Sequence, residues 1–403
     1  MDGSSRNFSG FVPEFPHVSL DKFTSDHMNS TLYFLSHLHT DHCQGLNSQQ
    51  LRYRLEAVKD AVLVAHATTC QLVKNSKAYA HLDKFLRPLE YGCETTFQVV
   101  DPKTGKTSYR MEVVLFDANH CPGAAMLLLK SDEARILYTG DFRASESVVG
   151  TLAPLLTNLD NVYIDTTFAC SEKPVFPSQE ASMQGLADLT AGWLKEAKEN
   201  RVYISVMCSL GYEELFRSLF YRFGQKIHFC QGQLDLYRNI PDLQGFSTSH
   251  GEDTRLHAGL GARAQCGKGL SCGCTLDNRV LVIEISARRF LENGRKGIKT
   301  VEKKGEKNYQ VFYSFHSSPS EMESFLKEVA PRKITPNMWP KGLASRSALK
   351  AKLASLSRKE PDATETPRLL GELKIWRKAA DAIPNSIHTT NSSSDEELDF
   401  GQQ

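Results

Sequence analysis

The segment 36–42 concentrates residues that bind metal ions. It reads Ser-His-Leu-His-Thr-Asp-His, so three imidazoles and a carboxylate fall within six positions, at the end of an apolar run. On a strand, side chains repeat every second residue, and His37 and His39 then point the same way. Asp41 and His42 face the same spot if the chain turns sharply there. Imidazole and carboxylate suit zinc and similar divalent ions, and two adjacent ligand pairs indicate two ions.

Two further polar residues follow predicted strands. His120 comes after the strand predicted over 111–116, and Asp141 comes after the strand predicted over 135–138. A lone histidine in a loop or an aspartate after glycine has an ordinary explanation in solvation or turn capping. Beside the first segment, these residues complete a ligand set for two ions. We expect His37, His39 and His120 on one ion, Asp41 and His42 on the other, and Asp141 between them.

Composition limits the class of protein. With 403 residues the chain is long enough for two domains, and 40% hydrophobic residues with a net charge of +1 exclude global disorder. A polyanion would therefore bind to local patches. No signal peptide and no apolar run of membrane-spanning length is visible, so we expect a soluble intracellular protein without membrane contact. The ten cysteines are scattered, which favours reduced thiols over disulfides.

The remaining pattern predicts an α/β protein. Short strands predicted over 32–35, 61–65, 111–116, 124–129 and 135–138 indicate a meander that needs a second layer. Further on, a helix predicted over 178–200, a strand over 201–207, a helix over 212–223 and a strand over 280–285 alternate. Alternation of this kind is typical of a parallel sheet.

These motifs resemble the metallo-β-lactamase family. The His-Leu-His-Thr-Asp-His run, His120 and Tyr-Thr-Gly-Asp at 138–141 carry the resemblance, which implies an αββα sandwich with metals at one edge. The segment 161–168 resembles the entry into the β-CASP domain, an α/β insertion in the nucleic-acid-cleaving branch. The resemblance implies residues 1–166 and 311–380 as the two parts of the sandwich and 167–310 as the insertion. The acidic, serine-rich composition of 381–403 predicts a disordered tail.

The resemblance also implies roles for the segment that returns from the insertion. His316 matches a histidine that contacts the scissile phosphate or assists the leaving group, and Asp165 would orient it or a metal ligand. With Asp41, these are the expected catalytic residues. Ser318-Pro319-Ser320-Glu321 is a capping box that begins a helix, which gives Ser318 a structural role beside the expected phosphate binding by Ser317 and Ser318.

Three features narrow the resemblance to the DNA-acting branch. Phe-His-Ser-Ser at 315–318 and the segments 226–241 and 255–258 are similar to hairpin-opening nucleases of end joining, whereas 117–120 is closer to sibling exonucleases of crosslink repair. Met338 stands where RNA-cleaving relatives carry another histidine. That branch also implies a structural zinc in the insertion, on His228, His257 and Cys272. Gly259 replaces an expected cysteine, so the fourth ligand would be Cys274 or Cys266; alternatively, these cysteines are free thiols.

The implied function is a metal-dependent DNA endonuclease that processes hairpins and overhangs in non-homologous end joining of double-strand breaks, with 5′–3′ exonuclease activity. We expect one or two active-site Zn²⁺ ions, with Mg²⁺ or Mn²⁺ as the alternative at the second position, and a nuclear location. Basic runs over 288–307 and 341–359 have two explanations that both stay open: solvated faces of the protein or, in a nuclease, contacts to phosphates. The expected partners are DNA and, through a long tail that this chain stops short of, the DNA-dependent protein kinase and the end-joining ligase complex.

Three rival functions remain open at this stage. The first is a 5′ exonuclease of interstrand crosslink repair or of telomere-end processing. The second is an RNA-processing endonuclease, which Met338 disfavours. The third is an inactive metal-bound scaffold in a repair complex, which the complete ligand set disfavours.

Overall fold

A computed structural model describes residues 8–261, 270–274, 279–291 and 299–358. Cys266 and the tail predicted over 381–403 lie outside the described residues. The strands are β1 Val18–Leu20, β2 Leu32–Phe34, β3 Val62–His66, β4 Leu86–Leu89, β5 Thr95–Val100, β6 Thr107–Asp117, β7 Ala125–Lys130, β8 Arg135–Tyr138, β9 Asn161–Ile164, β10 Arg201–Val206, β11 Ile227–His228, β12 Ser247–Thr248, β13 Leu256–Leu260, β14 Val280–Ile285, β15 Val301–Lys303, β16 Asn308–Val311 and β17 Lys333–Pro336. The helices are α1 Gln49–Ala57, α2 Ala67–Asn75, α3 Glu146–Leu152, α4 Gln179–Glu196, α5 Glu213–Phe223, α6 Gln231–Tyr237, α7 Pro241–Gln244, α8 Arg288–Leu291, α9 Pro319–Val329 and α10 Leu343–Leu356.

Two sheets share one apolar core and form the expected sandwich. The first sheet has the order β1-β2-β3-β4 and is parallel throughout; the second has the order β17-β9-β8-β7-β6-β5. Phe34 and Val64 of the first sheet pack in the same cluster as Leu115 and Leu127 of the second. Residues of α1 and α2 pack on the other face of the first sheet. Burial of apolar side chains on both faces therefore explains the near-continuous apolar runs of these strands.

The predicted single meander is wrong for the earliest strands. Among the first nine strands, only β5 to β8 pair as antiparallel neighbours, whereas β2 and β3 lie in the separate parallel sheet. The connection between β2 and β3 contains α1, and a parallel pair needs a crossover of this kind. Residues 101–106 form the hairpin turn between β5 and β6, in which Gly105 N donates to the carbonyl of Asp101.

A third sheet is built from residues 201–311. Its order is β12-β11-β13-β10-β14-β16-β15, and every pair in it is parallel except β15 with β16. The predicted alternation is confirmed in α4, β10, α5 and β14, each within four residues of the expected limits. Leu186, Ile204, Phe216 and Ile283 belong to the core of this sheet, and Leu72 from α2 joins the same cluster.

Arg143 fastens the two chain segments that connect the sheets. Its buried guanidinium donates to the carbonyl oxygens of Pro177 on the outgoing segment and Ser314 on the returning segment. It also contacts the Glu321 carboxylate in the first turn of α9. Since charged hydrogen bonds are stronger and more directional than neutral ones, this side chain holds the returning strand end in one position.

The last described helices pack on the second sheet. The capping box predicted at 318–321 is present, and Phe325 of α9 packs edge-on against Phe142. Leu349 and Leu353 of α10 are buried and Leu356 is half-buried, as expected for an amphipathic helix. None of the helices in the described ranges has the length and apolar character to cross a membrane.

Candidate active site

The carboxylate of Asp141 lies at the centre of a histidine cluster. Its Oδ2 is 3.3 Å from His42 Nε2, 3.8 Å from His120 Nε2, 3.9 Å from His37 Nε2 and 4.0 Å from His316 Nε2. Asp141 follows β8, where Gly140 has φ +56° and a Cβ there would lie 2.9 Å from Ser36 Oγ. A carboxylate surrounded by imidazoles from several loops has the geometry of a bridging ligand between two ions.

His39 extends the cluster on one side of Asp141. Its Nδ1 lies 3.1 Å from His37 Nε2 and 3.0 Å from His120 Nε2, so three ring nitrogens converge on one point. Cys121 offers a sulfur to the same group, in which all ligand atoms lie within 4.8 Å of one another. The structure therefore brings His37, His39 and His120 together, as the ligand set for one ion requires.

The reason for the convergence differs from the one expected. β2 ends at Phe34, so His37 and His39 lie in the loop that follows it, and strand alternation does not align them. The loop is held instead by hydrogen bonds. Ala125 donates to the carbonyl of Ser36, and a tight turn at 39–43 joins His42 N to the carbonyl of His39. That turn swings His42 back towards Asp141.

Every histidine of the cluster has its other ring nitrogen held by a protein oxygen. The partners are Ser36 Oγ for His37 at 3.0 Å, the Leu210 carbonyl for His39 at 3.0 Å, Asp21 Oδ2 for His42 at 2.5 Å, the Phe315 carbonyl for His120 at 2.8 Å, and Asp165 Oδ2 for His316 at 2.7 Å. Outer hydrogen bonds of this kind select the tautomer and aim the inner nitrogen, as at metal sites.

Asp21 is a site residue that the sequence did not reveal. It is buried directly after β1 with φ +53°, and its carboxylate accepts from Ser36 N at 2.7 Å, Tyr138 Oη at 2.7 Å and His42. Carboxylate, histidine and metal form a common triad in zinc proteins. A single aspartate between two apolar segments has no spacing that marks it, so a pattern search could not have found it.

Burial keeps the inner histidines neutral. Loss of hydration holds the pKa of His37 and of His120 well below the ordinary value for a histidine, and lowers the pKa of His39 to about 4. Neutral imidazoles present lone pairs to a cation at neutral pH. The donor set, with carboxylate and imidazole groups at mutual distances of 3.0–4.0 Å, therefore fits divalent ions.

Asp41 lies on the wall of a cleft beside the cluster. The cleft has a volume of about 1020 Å³, and His39, Asp141 and His316 also line it. Asp41 is exposed, and its carboxylate is not among the groups of ligand atoms within 4.8 Å of one another. The structure thus places Asp41 next to the cluster but outside its tightest part, and its role as a ligand stays a prediction.

Asp165 and His316 form a pair at the edge of the same cleft. His316 Nδ1 donates to Asp165 Oδ2, while Asp165 Oδ1 accepts from the backbone and the hydroxyl of Thr167 at 2.8 and 2.6 Å. Asp165 is expected to orient either His316 or a metal ligand. The structure shows its contact with His316. The Nε2 atom of His316 is left facing Asp141, where a phosphate oxygen would approach.

The hydroxyls of Ser317 and Ser318 take part in internal hydrogen bonds. Ser317 Oγ donates to the Phe142 carbonyl at 3.1 Å and accepts from Ala144 N, and Ser318 Oγ accepts from Glu321 N at 3.2 Å. Both residues are buried. Their expected phosphate binding stays a prediction, while their structural role is now explicit.

A second group of metal-binding residues lies in the third sheet. His228 and His257 are paired neighbours on β11 and β13, and their Nδ1 atoms are 3.1 Å apart. Cys274 Sγ is 3.5 and 3.3 Å from these two atoms, and Cys272 Sγ is 3.9 Å from His257 Nδ1. Tetrahedral zinc bonds of about 2.0–2.3 Å require ligand atoms roughly 3.3–3.8 Å apart, so the four residues fit zinc.

The local packing leaves no room at position 259 for the cysteine that the resemblance implies there. A Cβ at Gly259 would lie 2.2 Å from Ser271 Oγ and 3.0 Å from Tyr203 Oη, so a cysteine there would displace both groups. Cys274 reaches the cluster because Gly251 leaves room beside it; a Cβ at Gly251 would lie 2.8 Å from His228 Nδ1 and 3.2 Å from Cys274 Sγ. The structure therefore brings Cys274 to the histidines.

The fold and the site define the class of protein. Residues 263–342 match the family model of the DNA repair metallo-beta-lactamase, and residues 16–189 match that of the anti-Pycsar protein Apyc1. A crystal structure of a protein of unknown function from Enterococcus faecalis V583 aligns with a TM-score of 0.51 over 83% of this chain and 80% of that one, at 14% identity, and shares the fold. The chain therefore has the metallo-β-lactamase fold with an inserted α/β domain, and its sequence resembles the DNA repair metallo-beta-lactamases.

The chain is also similar to Artemis proteins over most of its length. Human Artemis is 30% identical over 98% of this chain and 56% of its own length, and zebrafish (Danio rerio) Artemis is 31% identical over 92% of this chain and 59% of its own. The chicken 5′ exonuclease Apollo is 31% identical over 56% of this chain and 44% of its own length. The chain thus spans a little over half the length of the Artemis proteins it matches.

Proposed function

We propose that this chain is a metal-dependent DNA nuclease of the Artemis type, which hydrolyses phosphodiester bonds at hairpins and overhangs and also at 5′ ends. The proposal combines its similarity to Artemis and Apollo with the chemistry of the site. We further propose divalent ions, zinc foremost, with Mg²⁺ or Mn²⁺ as the alternative at the second position, as its active-site cofactors.

One observation carries the proposal. Asp141 Oδ2 lies within 4.0 Å of four histidine nitrogens, beside a cleft of about 1020 Å³. We assign His37, His39, His42, His120, Asp141 and Asp41 as metal ligands and His316 and Asp165 as the pair that acts on the phosphate. When bound, the ions supply Lewis-acid activation of water and of the phosphate.

The chain's own residues supply positioning and a proton. Asp165 keeps a proton on His316 Nδ1, so Nε2 is aimed at the reacting phosphate, either to stabilise its charge or, when protonated, to donate to the leaving oxygen. Asp21 likewise holds a proton on His42 Nδ1, so that His42 Nε2 is aimed at Asp141. Buried walls around Asp141 and His120 exclude bulk water from the inner side of the cluster and strengthen these interactions.

The cleft walls favour a single-stranded segment at the reaction centre. Phe168, Phe315 and Trp339 line the cleft together with the cations Arg288 and Lys341. Aromatic rings stack on unpaired bases and cations track the phosphates, whereas neither reads sequence. Hairpin tips and overhangs offer such unpaired nucleotides next to a duplex.

The test is cleavage of labelled DNA by the full chain and its Asp41→Ala variant. Hairpin, 5′-overhang and single-stranded 5′-end substrates are incubated with Zn²⁺ or Mn²⁺, and the product ends are mapped. We expect hairpin opening by the wild type and none by Asp41→Ala, with Asp132→Ala in the exposed turn between β7 and β8 as control. Full activity in an Asp41→Ala protein of normal thermal stability would overturn the proposal.

A second candidate is a dedicated 5′ exonuclease of crosslink repair or telomere-end processing. The match to the 5′ exonuclease Apollo favours it. The same assay separates the two functions, because an exonuclease shortens a 5′-phosphorylated strand one nucleotide at a time and leaves a closed hairpin intact.

The proposed function implies a nuclear location and protein partners. The DNA-dependent protein kinase and the end-joining ligase complex are the partners we predict. Hairpin cleavage measured with and without the purified kinase tests the first, and co-purification with the ligase complex tests the second.

We also propose the cluster of His228, His257, Cys272 and Cys274 as a structural zinc site.

A further inference from the structure

A buried carboxylate outside the ligand set occupies the first turn of α5. Glu213 is 4% exposed, and each of its oxygens accepts one hydrogen bond: Oε2 from Gly211 N at 2.6 Å and Oε1 from Tyr237 Oη at 3.0 Å. Burial raises the pKa of Glu213 to about 7. Because burying such a group is costly, its retention needs a reason beyond packing.

The reason lies in the peptide group that Glu213 holds. The peptide between Leu210 and Gly211 donates its N–H to Glu213 and accepts at its C=O from His39 Nε2 at 3.0 Å. In a trans peptide these two groups point in opposite directions. A single rigid unit therefore joins the carboxylate to the imidazole, and the remaining nitrogen of His39, Nδ1, faces His37 and His120.

The loop that carries this peptide is shaped for its position. Gly211 has φ +109°, which favours glycine, and a Cβ there would lie 3.1 Å from the Phe315 ring and 3.4 Å from the His120 carbonyl. The neighbouring Phe315 carbonyl holds His120. The cluster thus receives two of its five outer hydrogen bonds from carbonyls at 210 and 315, far along the chain from the histidines.

We propose that Glu213 is a positioning residue that locks the Leu210–Gly211 peptide, so that its carbonyl holds His39 as the Nε2–H tautomer with Nδ1 aimed at the metal. An acceptor oxygen on the N–H side fixes and polarises the peptide and makes its carbonyl a stronger acceptor, which increases the basicity of His39 as a ligand. The inference rests on the proposed function only in identifying the cluster as a metal centre.

A purely structural role for Glu213 makes a different prediction. In that case its loss would loosen Tyr237 and α5 and lower the stability of the fold, while metal affinity would follow stability. Under the proposal, metal affinity follows the hydrogen bond to Gly211. A side chain that keeps an acceptor oxygen at that point should keep the affinity, whether or not it carries a charge.

The experiment is a titration of the metal-stripped full chain and its variants with Mn²⁺, followed by electron paramagnetic resonance. Mn²⁺ is a suitable probe because it prefers nitrogen and oxygen ligands over the thiolates of the second cluster. The variants are Glu213→Gln, which keeps an acceptor oxygen, Glu213→Asp, which withdraws it by one carbon, and Glu213→Ala. The matched control is Glu214→Gln, the exposed neighbour paired with Arg217.

We expect the Mn²⁺ affinity to fall in the order Gln, Asp, Ala. The Ala variant should lose about ten- to hundredfold, as for other residues that orient a metal ligand. The Gln variant should stay near the wild type, as should Glu214→Gln. Wild-type affinity in both the Ala and the Asp variants would overturn the proposal. If the Ala variant does not fold, equal affinities of the Asp and Gln variants would overturn it.

This outcome is separable from that of the proposed nuclease. The titration uses no DNA, so an ordered loss of affinity in a chain that cuts none of the substrates would keep this inference and overturn the proposed function. As a second readout, cleavage by the Ala variant should be restored by excess Mn²⁺, and failure of this rescue in a stably folded variant would count against a positioning role.

Discussion

The two clusters of this chain that we propose as metal sites differ in how their side chains are held. In the cluster around Asp141, each of five histidines has an outer hydrogen bond to a protein oxygen, and one side faces a cleft. In the cluster of His228, His257, Cys272 and Cys274, adjacent strands bring the histidines together, and within the described residues His257 Nε2 is buried without a hydrogen-bond partner.

The difference shows what each site needs. A closed tetrahedral site is defined by its four ligands, two of them thiolates that bind zinc strongly, and strand register alone can align it. A site that keeps positions open for substrate must retain its geometry when ligands exchange, so each imidazole needs support of its own.

The chemistry of the cluster around Asp141, which faces the cleft, should depend most on its central carboxylate. In Asp141→Asn an amide replaces the bridging oxygen, and we expect DNA cleavage to fall by at least about 10⁴-fold, because activation of water is lost. Cleavage rates and metal content of the variant and of an Asp132→Asn control check this. Cleavage within tenfold of the wild type would remove Asp141 from the centre of the mechanism.

The cluster of His228, His257, Cys272 and Cys274 should instead affect the stability of the fold. We expect His228→Ala to lose one zinc per chain and to lower the free energy of unfolding by about 4 kcal/mol or more, since metal binding is folding free energy at such sites. Metal analysis and thermal unfolding measure both quantities, with Cys93→Ser at an exposed free thiol as control. An unchanged zinc count would show that these residues are not a zinc site.

The carboxylate that supports the cluster around Asp141 should make stability depend on pH. Folding raises the pKa of Glu213 from 4.5 to about 7, so its ionisation opposes the fold increasingly between these pH values. The stability of Glu213→Gln relative to wild type should therefore rise by about 3 kcal/mol from pH 4.5 to pH 7 and then level off. Nearby Tyr237 and Cys208 have raised pKa values and do not titrate there. Denaturant unfolding at several pH values measures this stability difference. A difference that does not change with pH would contradict the raised pKa of Glu213.

Support of His316 should matter less than the ligands themselves. In Asp165→Asn the amide still fits, but the ring of His316 loses its anionic partner, and we expect a loss of about ten- to hundredfold in kcat with metal content unchanged. Single-turnover rates and metal analysis test this together. A loss of metal instead would mean that Asp165 serves a ligand rather than His316.

The smallest expected effect is at the cap of α9. Ser318→Ala removes the acceptor for Glu321 N and should lower the free energy of unfolding by about 1 kcal/mol. Because the Ser318 hydroxyl caps the helix, we expect KM for DNA to be unchanged in this variant. A clear rise in KM without a change in stability would instead support the predicted phosphate contact.

Side-chain chemistry at short spacing was predictable, whereas support from distant backbone was not. The run at 36–42, His120 and Asp141 stand out by residue type, and the capping box at 318–321 has a fixed pattern. The Leu210 and Phe315 carbonyls carry no such signal, because every residue has one. Strand β4 with its Pro88 was missed, since proline is atypical of strands and is tolerated at this sheet's edge.

The hydrogen bond between His120 and the Phe315 carbonyl joins residues 195 positions apart. During synthesis on the ribosome, the run at 36–42 and His120 emerge long before the supporting carbonyls at 210 and 315 and before His316. A nascent chain that ends near Gln310 has the ligands but neither His316 nor the carbonyl that orients His120. The cluster is therefore complete only after the whole third sheet has been made, and an incomplete translation product lacks part of the proposed site.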